Sequence, residues 1–412
     1  MILCFVYGLT ALDASVFAVL LPAIKSDFQL SDTELGFLSG ISYAAFHIVF
    51  TVPIGLLADT WKRNYLIAIS LSLFGLMTAL CGFAANLVQL IVIRSGCALG
   101  ASGTVPSSTS IIADLYPEKS RGAAMSLFVI GGAFGSYLAF ALGGIAVEKF
   151  GWRTAIQLVA LPSVLLGVIT YFTVKEPPRG LSDGQGAAEN AARKPIRQVF
   201  VFLLRQHSLW HLTAGATLVY LYSCGSVTWL PSYFQRAYGM GIAETGFLLG
   251  IPLGALSVLS LLAGGLLGDS IGRRDERWRA WLVAVALLIA FPFCVVTFLT
   301  RSKYLAIGAY AVPASLTVFY VSPTFALVQS LVPPEMRATA LAIVLVILSV
   351  VGMGIGPQLV GLLSDLLRSR FGVNSLGHAL LMLSPILLWA AAHFNLAALN
   401  IPRDLARVRG ER

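Results

Sequence analysis

The chain has 412 residues, 57% of them hydrophobic and only 11% charged, with a mean hydropathy of +0.83. A soluble domain carries about 25% charged residues, so this chain cannot cover its own surface with polar groups and its solvent is lipid. The net charge of +9 does not point to nucleic acid, because the basic residues sit at the ends of apolar runs and form no aromatic-interleaved patch.

A bilayer crossing needs about 20 mostly apolar residues, and in chain order twelve such windows follow one another. The first six fall near 2–22, 33–57, 64–83, 87–113, 122–146 and 154–174. The first has no basic leader and carries an acid in its middle, so it reads as a span and not a cleaved signal. The stretch 175–208, with prolines, glycines and charges that cannot pack a core, reads as a linker whose end at 195–206 suits a short interfacial helix. The second six fall near 209–235, 242–268, 280–300, 304–331, 338–363 and 377–400, and 401–412 reads as a basic tail. The expected fold is therefore all-α, with twelve transmembrane helices in two six-helix bundles, 1–174 and 209–400. Most of the 28 Lys and Arg fall in one set of alternate loops, which places both termini in the cytoplasm of a bacterial-type inner membrane.

The halves echo each other. "GGLLGDSIGRR" at 264–274 superimposes Gly265, Leu266, Leu267, Asp269 and Arg273 on Gly55, Leu56, Leu57, Asp59 and Arg63. At nearly the same shift Pro106, Pro117 and Glu118 meet Pro323, Pro334 and Glu335, with Arg121 and Arg337 close behind. Parallel halves of this kind are a signature of secondary transporters. Glycines at a span end let helices approach closely, and an acid one turn later can cap a neighbour while Arg63, Arg273 and Arg274 hold the loop at the anionic leaflet. Asp59, Arg63, Asp114, Arg121, Asp269, Arg273 and Arg274 are accordingly expected to gate the cytoplasmic side; a plain positive-inside anchor is the alternative.

Ionisable groups at bilayer depth cost about 2.5–3.5 kcal/mol on insertion scales and are functional candidates for that reason. Asp13 lies roughly 16 Å into span 1 and Arg94 roughly 10 Å into span 4 from the opposite face, at ~1.5 Å per residue. The two are expected to face each other, as a pair that a proton or an anionic substrate breaks, or as a structural tie between spans 1 and 4. Tyr222, Ser226, Trp229 and Tyr233 share one face of span 7, and Tyr310, Thr317, Tyr320 and Thr324 one face of span 10. Aromatic rings with hydroxyl tips suit a pocket for an amphiphile; an interfacial aromatic belt is the competing reading for Trp229 and Tyr233. His47 reads as a core polar group bonded across helices. Gly131, Gly135, Gly143 and Gly144 in span 5, and Gly352, Gly356 and Gly361 before and after Pro357 in span 11, suit close helix packing.

No metal site or cofactor is expected: the five cysteines (Cys4, Cys81, Cys97, Cys224, Cys294) are scattered in apolar segments, and the five histidines form no ligand motif. An ATP-driven pump is disfavoured by the lack of a GxxxxGK[ST] sequence, and an enzyme by the lack of a nucleophile–base constellation.

The repeated loop resembles the cytoplasmic motif of the major facilitator superfamily, with Thr60 and Lys62 departing from it in the first copy. "ALDASVFAVLLPAIKSDFQLSDTELGFLSG", "STSIIADLYPEKSRG" and "VKEPPRG" resemble the bacterial spinster-type branch, related to organic-anion symporters. Ala14 stands where that branch has Arg after Asp13, and Gly100, Ala101 and Ser102 stand where it has Gly-Glu-Ala. The resemblance implies two bundles around a central cavity lined by spans 1, 4, 7 and 10. It implies a monomeric, non-enzymatic carrier moving a small organic anion or amphiphile by alternating access, with a proton as partner. Export of a lysolipid or drug-like amphiphile is the alternative, and a non-transporting solute sensor of the same fold a second.

Overall fold

A computed structural model describes residues 1–178 and 196–408; residues 179–195 of the 175–208 linker and the end of the basic tail lie outside the described residues. Among the described residues there is no strand. The first half runs α1 (Ile2–Phe28), α2 (Asp32–Ser39), α3 (Ile41–Thr60), α4 (Arg63–Cys81), α5 (Leu87–Leu115) and α6 (Glu118–Thr173). After α7 (Ile196–Arg205) the second half runs α8 (His207–Tyr238), α9 (Ile242–Gly272), α10 (Arg277–Leu299), α11 (Lys303–Phe319) and α12 (Val321–Ser330). It closes with α13 (Arg337–Leu348), a π-helical turn at Ser349–Ile355, α14 (Gly356–Phe371), α15 (Ser375–Leu383) and α16 (Ile386–Val408).

Among the described residues nine stretches are long and apolar enough to cross a membrane. Two of them each hold two crossings. One is divided at Gly151, whose φ of 75° no side chain adopts readily; the other at Gly372–Asn374, where Gly372 has φ 55°. With the more polar α8 the crossings number twelve, the all-α fold read from the sequence. Span 2 is made of α2 and α3, broken at Gly40, and α2 starts on a reciprocal cap in which Ser31 accepts from the Glu34 backbone and Glu34 from the Ser31 backbone.

Prolines set the remaining breaks. Pro323 has no N–H to offer the Phe319 carbonyl, and α11 gives way to α12 there. Gly264 on α9 comes so close to that carbonyl that a Cβ would sit 2.5 Å from it. In span 11 the glycines before Pro357 adopt the π-helical turn, a wide helix form that relieves the missing hydrogen bond.

The described chain forms two compact units: one takes in α1–α6 with Thr228–Gly254, the other α7, the remainder of α8, and Ala255 through α16. In the first, α1 and α6 meet backbone to backbone, Gly131 on the Cys4 carbonyl and Gly135 on the Gly8 carbonyl. Gly246 and Gly250 on α9 seat in the same way on the carbonyls of Phe140 and Tyr137. In the second, Gly356 sits on Leu221 and Gly225. Helices with such small faces pack without a side chain between them, which is how association is won in lipid.

Candidate functional site

Asp13 is midway along α1 and Arg94 two turns into α5, and the structure brings them together. Arg94 Nη1 donates to Asp13 Oδ2 at 3.0 Å, with 1% of Asp13 and 3% of Arg94 exposed. The guanidinium lies 3.9 Å from the ring centroid of Phe17 and 5.0 Å from that of Tyr43. Two aromatic rings within reach of the cation make a favourable seat for a desolvated charge. Asp13 Oδ1 and Arg94 Nε have no hydrogen-bond partner. An ion pair at this depth normally has its remaining donors and acceptors satisfied, and here one acceptor and one donor are left without a partner among the described residues.

The polar contacts continue along span 2. The Tyr43 ring stacks parallel to His47 at 6.0 Å, and His47 Nδ1 lies 3.1 Å from the Ser102 hydroxyl and 3.5 Å from the Ala98 carbonyl. His47 is thus bonded across helices to α5. Phe17 and Tyr43 carry no charge and lie far apart in sequence, so sequence reasoning missed them; the one available signal was the helical spacing of Phe17 from Asp13.

The second unit carries hydroxyls without charge. Tyr222 is buried with its hydroxyl 3.1 Å from the Cys294 sulfur. Ser226 is fully buried and its Oγ has no hydrogen-bond partner. Tyr310 and Tyr320 are buried, and Thr317 donates to the Pro313 carbonyl of its own helix at 2.7 Å. Thr324 Oγ1 also has no partner. Trp229, in the first unit, is fully buried with the Arg236 guanidinium 5.9 Å from its ring, which removes it from any lipid-facing belt; Tyr233 is buried as well.

Of the loop residues, Arg63 is the most constrained. Only 1% exposed, it donates to Asp114 Oδ2 at 2.5 Å, Glu176 Oε1 at 2.7 Å, Ser110 Oγ at 2.8 Å and the Pro177 carbonyl at 3.1 Å. Glu176 also accepts from the Asn64 backbone at 3.0 Å. One guanidinium therefore ties the start of α4 to the end of α5 and to the chain leaving α6. Glu176 was missed because it stands in the polar run that reads as linker. The Asp59 side chain lies outside the described residues, and Arg121 donates to the Tyr116 carbonyl at 3.4 Å.

The second copy of the loop is laid out differently: Asp269 is 70% exposed and faces Arg279 at 3.3 Å. Arg273 donates to the Asp269 carbonyl, and Arg274 makes a backbone bond to Ile271; both side chains are exposed. Just beyond them Asp275 accepts from the Arg277 guanidinium at 2.7 Å and from its backbone at 2.9 Å, and these bonds hold the Asp275 carboxyl below the usual range.

At the opposite ends of the spans lies a second charge cluster that sequence reasoning missed. Asp32, 2% exposed, accepts two bonds from Arg236, at 2.7 and 2.8 Å, and one from Lys25. The bidentate geometry is the strong form of such a pair. Asp32 and Arg236 fall just outside the spans read from the sequence, so only the fold unites them. Nearby Asp27 accepts from Arg153 and from Trp152.

Comparison with known proteins places these features in a family. The model of the Major Facilitator Superfamily matches residues 3–357. An MFS-type efflux pump of Mycolicibacterium smegmatis is 31% identical over 405 residues, covering 98% of this chain and 93% of that protein. A sphingosine-1-phosphate transporter of Danio rerio is 24% identical, covering 96% and 82%. A cis,cis-muconate transport protein of Acinetobacter baylyi is 26% identical, covering 80% and 78%. Among solved structures, a bacterial homologue of the human lysosomal transporter spinster, inward-facing and unoccupied, superimposes with a TM-score of 0.90 at 27% identity over 98% of this chain and 97% of that one. With twelve helical crossings and a match over most of its length, this chain is a multi-pass membrane protein of the major facilitator superfamily, a secondary transporter and not an enzyme.

Proposed function

We propose that this transporter moves a small organic anion with an apolar body by alternating access, and that a proton is its coupling partner. The observation that carries the reading is the buried Asp13–Arg94 pair with one unpartnered atom on each side. An anion arriving at Arg94 competes with Asp13 for the guanidinium. A carboxylate that loses its cation in a low-dielectric site takes up a proton, so substrate binding and protonation become one event. The rings of Phe17 and Tyr43 give the apolar body a surface beside the charge. A muconate carrier and a sphingosine-1-phosphate carrier among the relatives both handle organic anions, in agreement with this class.

The Asp32–Lys25–Arg236 cluster is proposed as a latch that must open during the cycle, and the Arg63–Asp114–Glu176 cluster as the brace at the other membrane face. The buried hydroxyls at Tyr222, Ser226, Tyr310, Thr317 and Tyr320 are proposed to meet the neutral part of the substrate. Asp59, Arg121, Asp269, Arg273 and Arg274 are assigned to the loops that close the cytoplasmic side. The loop bias of Lys and Arg supports cytoplasmic termini in a bacterial-type inner membrane, with the monomer as the working unit. A second reading, export of an amphiphile, is favoured by the likeness to an efflux pump.

Thermal stabilisation of the purified chain across organic acids, lysolipids and cationic drugs identifies the ligand, since a compound that prefers the folded state raises the transition temperature. Counterflow of that compound in proteoliposomes is then expected. Stabilisation by cationic drugs alone contradicts the anion assignment, and binding without counterflow marks a sensor.

A further inference from the structure

An apolar groove among the described residues shares no residue with the proposed transport site. It has a volume of about 450 Å³ and is formed within the second unit by α7, α8, α13 and α16. Its walls include Phe200, Leu204, Trp210, Thr217, Val344 and Trp389. The volume falls in the roughly 300–1,000 Å³ range of small-ligand sites. Phe200, Leu204, Trp210 and Trp389 are exposed large apolar side chains, open to the membrane.

Helix α7 builds this groove. Val199 and Leu203 are buried and dock the helix, while Phe200 and Leu204 point into the groove. Just after α7, the first turn of α8 is fixed by Asp404 on α16, which accepts from the Ser208 backbone at 2.8 Å and from its hydroxyl at 2.6 Å. On another wall, His393 is held by His211, ring nitrogen to ring nitrogen at 2.9 Å. These polar contacts make the groove a built feature of the second unit.

Basic side chains stand beside it. Arg205, His207 and Arg407 line a polar recess that shares Leu204 with the groove, and Arg197 joins Arg205 around a second recess beside Met336. Arg197, Arg205 and His207 are exposed, and among the described residues neither Arg197 nor Arg205 forms an ion pair with an acid. An apolar slot open to the bilayer, with two exposed guanidinium groups on the helix that builds it, matches an anionic head on a hydrocarbon chain.

We infer that the α7 groove is a binding site for one anionic phospholipid of the surrounding leaflet, its chain against Trp210 and Trp389 and its phosphate between Arg197, Arg205 and His207. Bound there, the lipid bridges α7 to α8 and α16 and ties the chain entering the second bundle to the bundle itself. The site is separate from Asp13 and Arg94, so it stands or falls independently of the proposed substrate.

The test uses the full-length protein in nanodiscs of phosphatidylcholine doped with a photoactivatable phosphatidylglycerol or its phosphatidylcholine analogue. Labelling of the wild type is expected in peptides covering 200–218 and 389–393, with phosphatidylglycerol strongly preferred. The double substitution Arg197→Ala/Arg205→Ala is expected to lower that labelling by about tenfold or more, two interfacial cations being removed. Glycerol 1-phosphate, the head without the chain, is expected not to compete. Equal labelling by both lipids, or labelling spread evenly around the bundle, overturns the proposal. Competition by glycerol 1-phosphate also overturns it, assigning the recess to a soluble phosphate. The wild-type labelling pattern is decisive by itself, so the test still holds if the double variant fails to fold.

Discussion

The two halves of this chain repeat their packing and not their chemistry. Gly8 and Gly225 correspond under the shift that carries Pro106 onto Pro323, and so do Gly135 and Gly352. In each half these glycines bring the first and fifth spans into near backbone contact. Under the same shift Asp13 falls on Leu230, and the second half answers the buried ion pair with Tyr222, Ser226 and Tyr310. The loops diverge likewise: Arg63 is sealed among two acids and a hydroxyl, while Arg273 lies exposed. Backbone geometry that lets helices approach in lipid is retained twice, whereas among the described residues a buried acid–guanidinium pair midway along the spans occurs in the first half and has no counterpart at the matching positions of the second.

Removing one partner of the buried pair is the most damaging way to break the comparison. Arg94→Ala is expected to cost about 3–5 kcal/mol by stranding Asp13, seen as a large fall in transition temperature in detergent. Tyr222→Phe is expected to change stability little. If the two variants melted alike, the asymmetry between halves would be only apparent. Next in size are the shared glycine contacts. Gly135→Val and Gly356→Val each place a side chain on facing backbone, and each is expected to cost about 1–3 kcal/mol or more. Similar losses in both, read by thermal unfolding, support a common packing core; tolerance in one half only refutes it.

The loops give a smaller contrast. Arg63→Ala, which leaves Asp114 and Glu176 without their cation, is expected to lower stability by about 1–3 kcal/mol. Arg273→Ala, at an exposed position, is expected to stay within about 0.5 kcal/mol of the wild type. Smallest is the surface pair of Asp275 and Arg277. The Asp275 pKa is lowered in the folded state, so its contribution is present at neutral pH and lost as pH falls below the ordinary value of 3.8. Asp275→Asn is expected to shrink that acid loss slightly in pH-dependent melting curves; an unchanged curve shows that solvent screens the pair completely.

The spans, the repeat and the location of the charged pair were legible in the sequence because each follows from one-dimensional rules. A run of apolar residues must cross the bilayer, and an acid or guanidinium inside such a run needs a partner at its own depth. Asp13 and Arg94 met both conditions. Phe17 and Tyr43 met neither, since an aromatic residue in an apolar helix carries no signal of what it covers. Asp32 and Arg236 looked like ordinary loop charges, and Glu176 like part of a linker. Their roles arise only when distant helices converge, as does the π-helical turn at Ser349–Ile355, whose Gly352 reads from sequence as a packing residue.

The central claim is that Asp13 exchanges a proton when the cargo takes its place on Arg94. It is tested most directly in proteoliposomes with the ligand returned by the stabilisation screen, comparing wild type with Asp13→Asn under an imposed pH gradient and in counterflow without one. Asp13→Asn is expected to keep counterflow and to lose acceleration by the gradient. A variant that still responds to the gradient as the wild type does would contradict the claim.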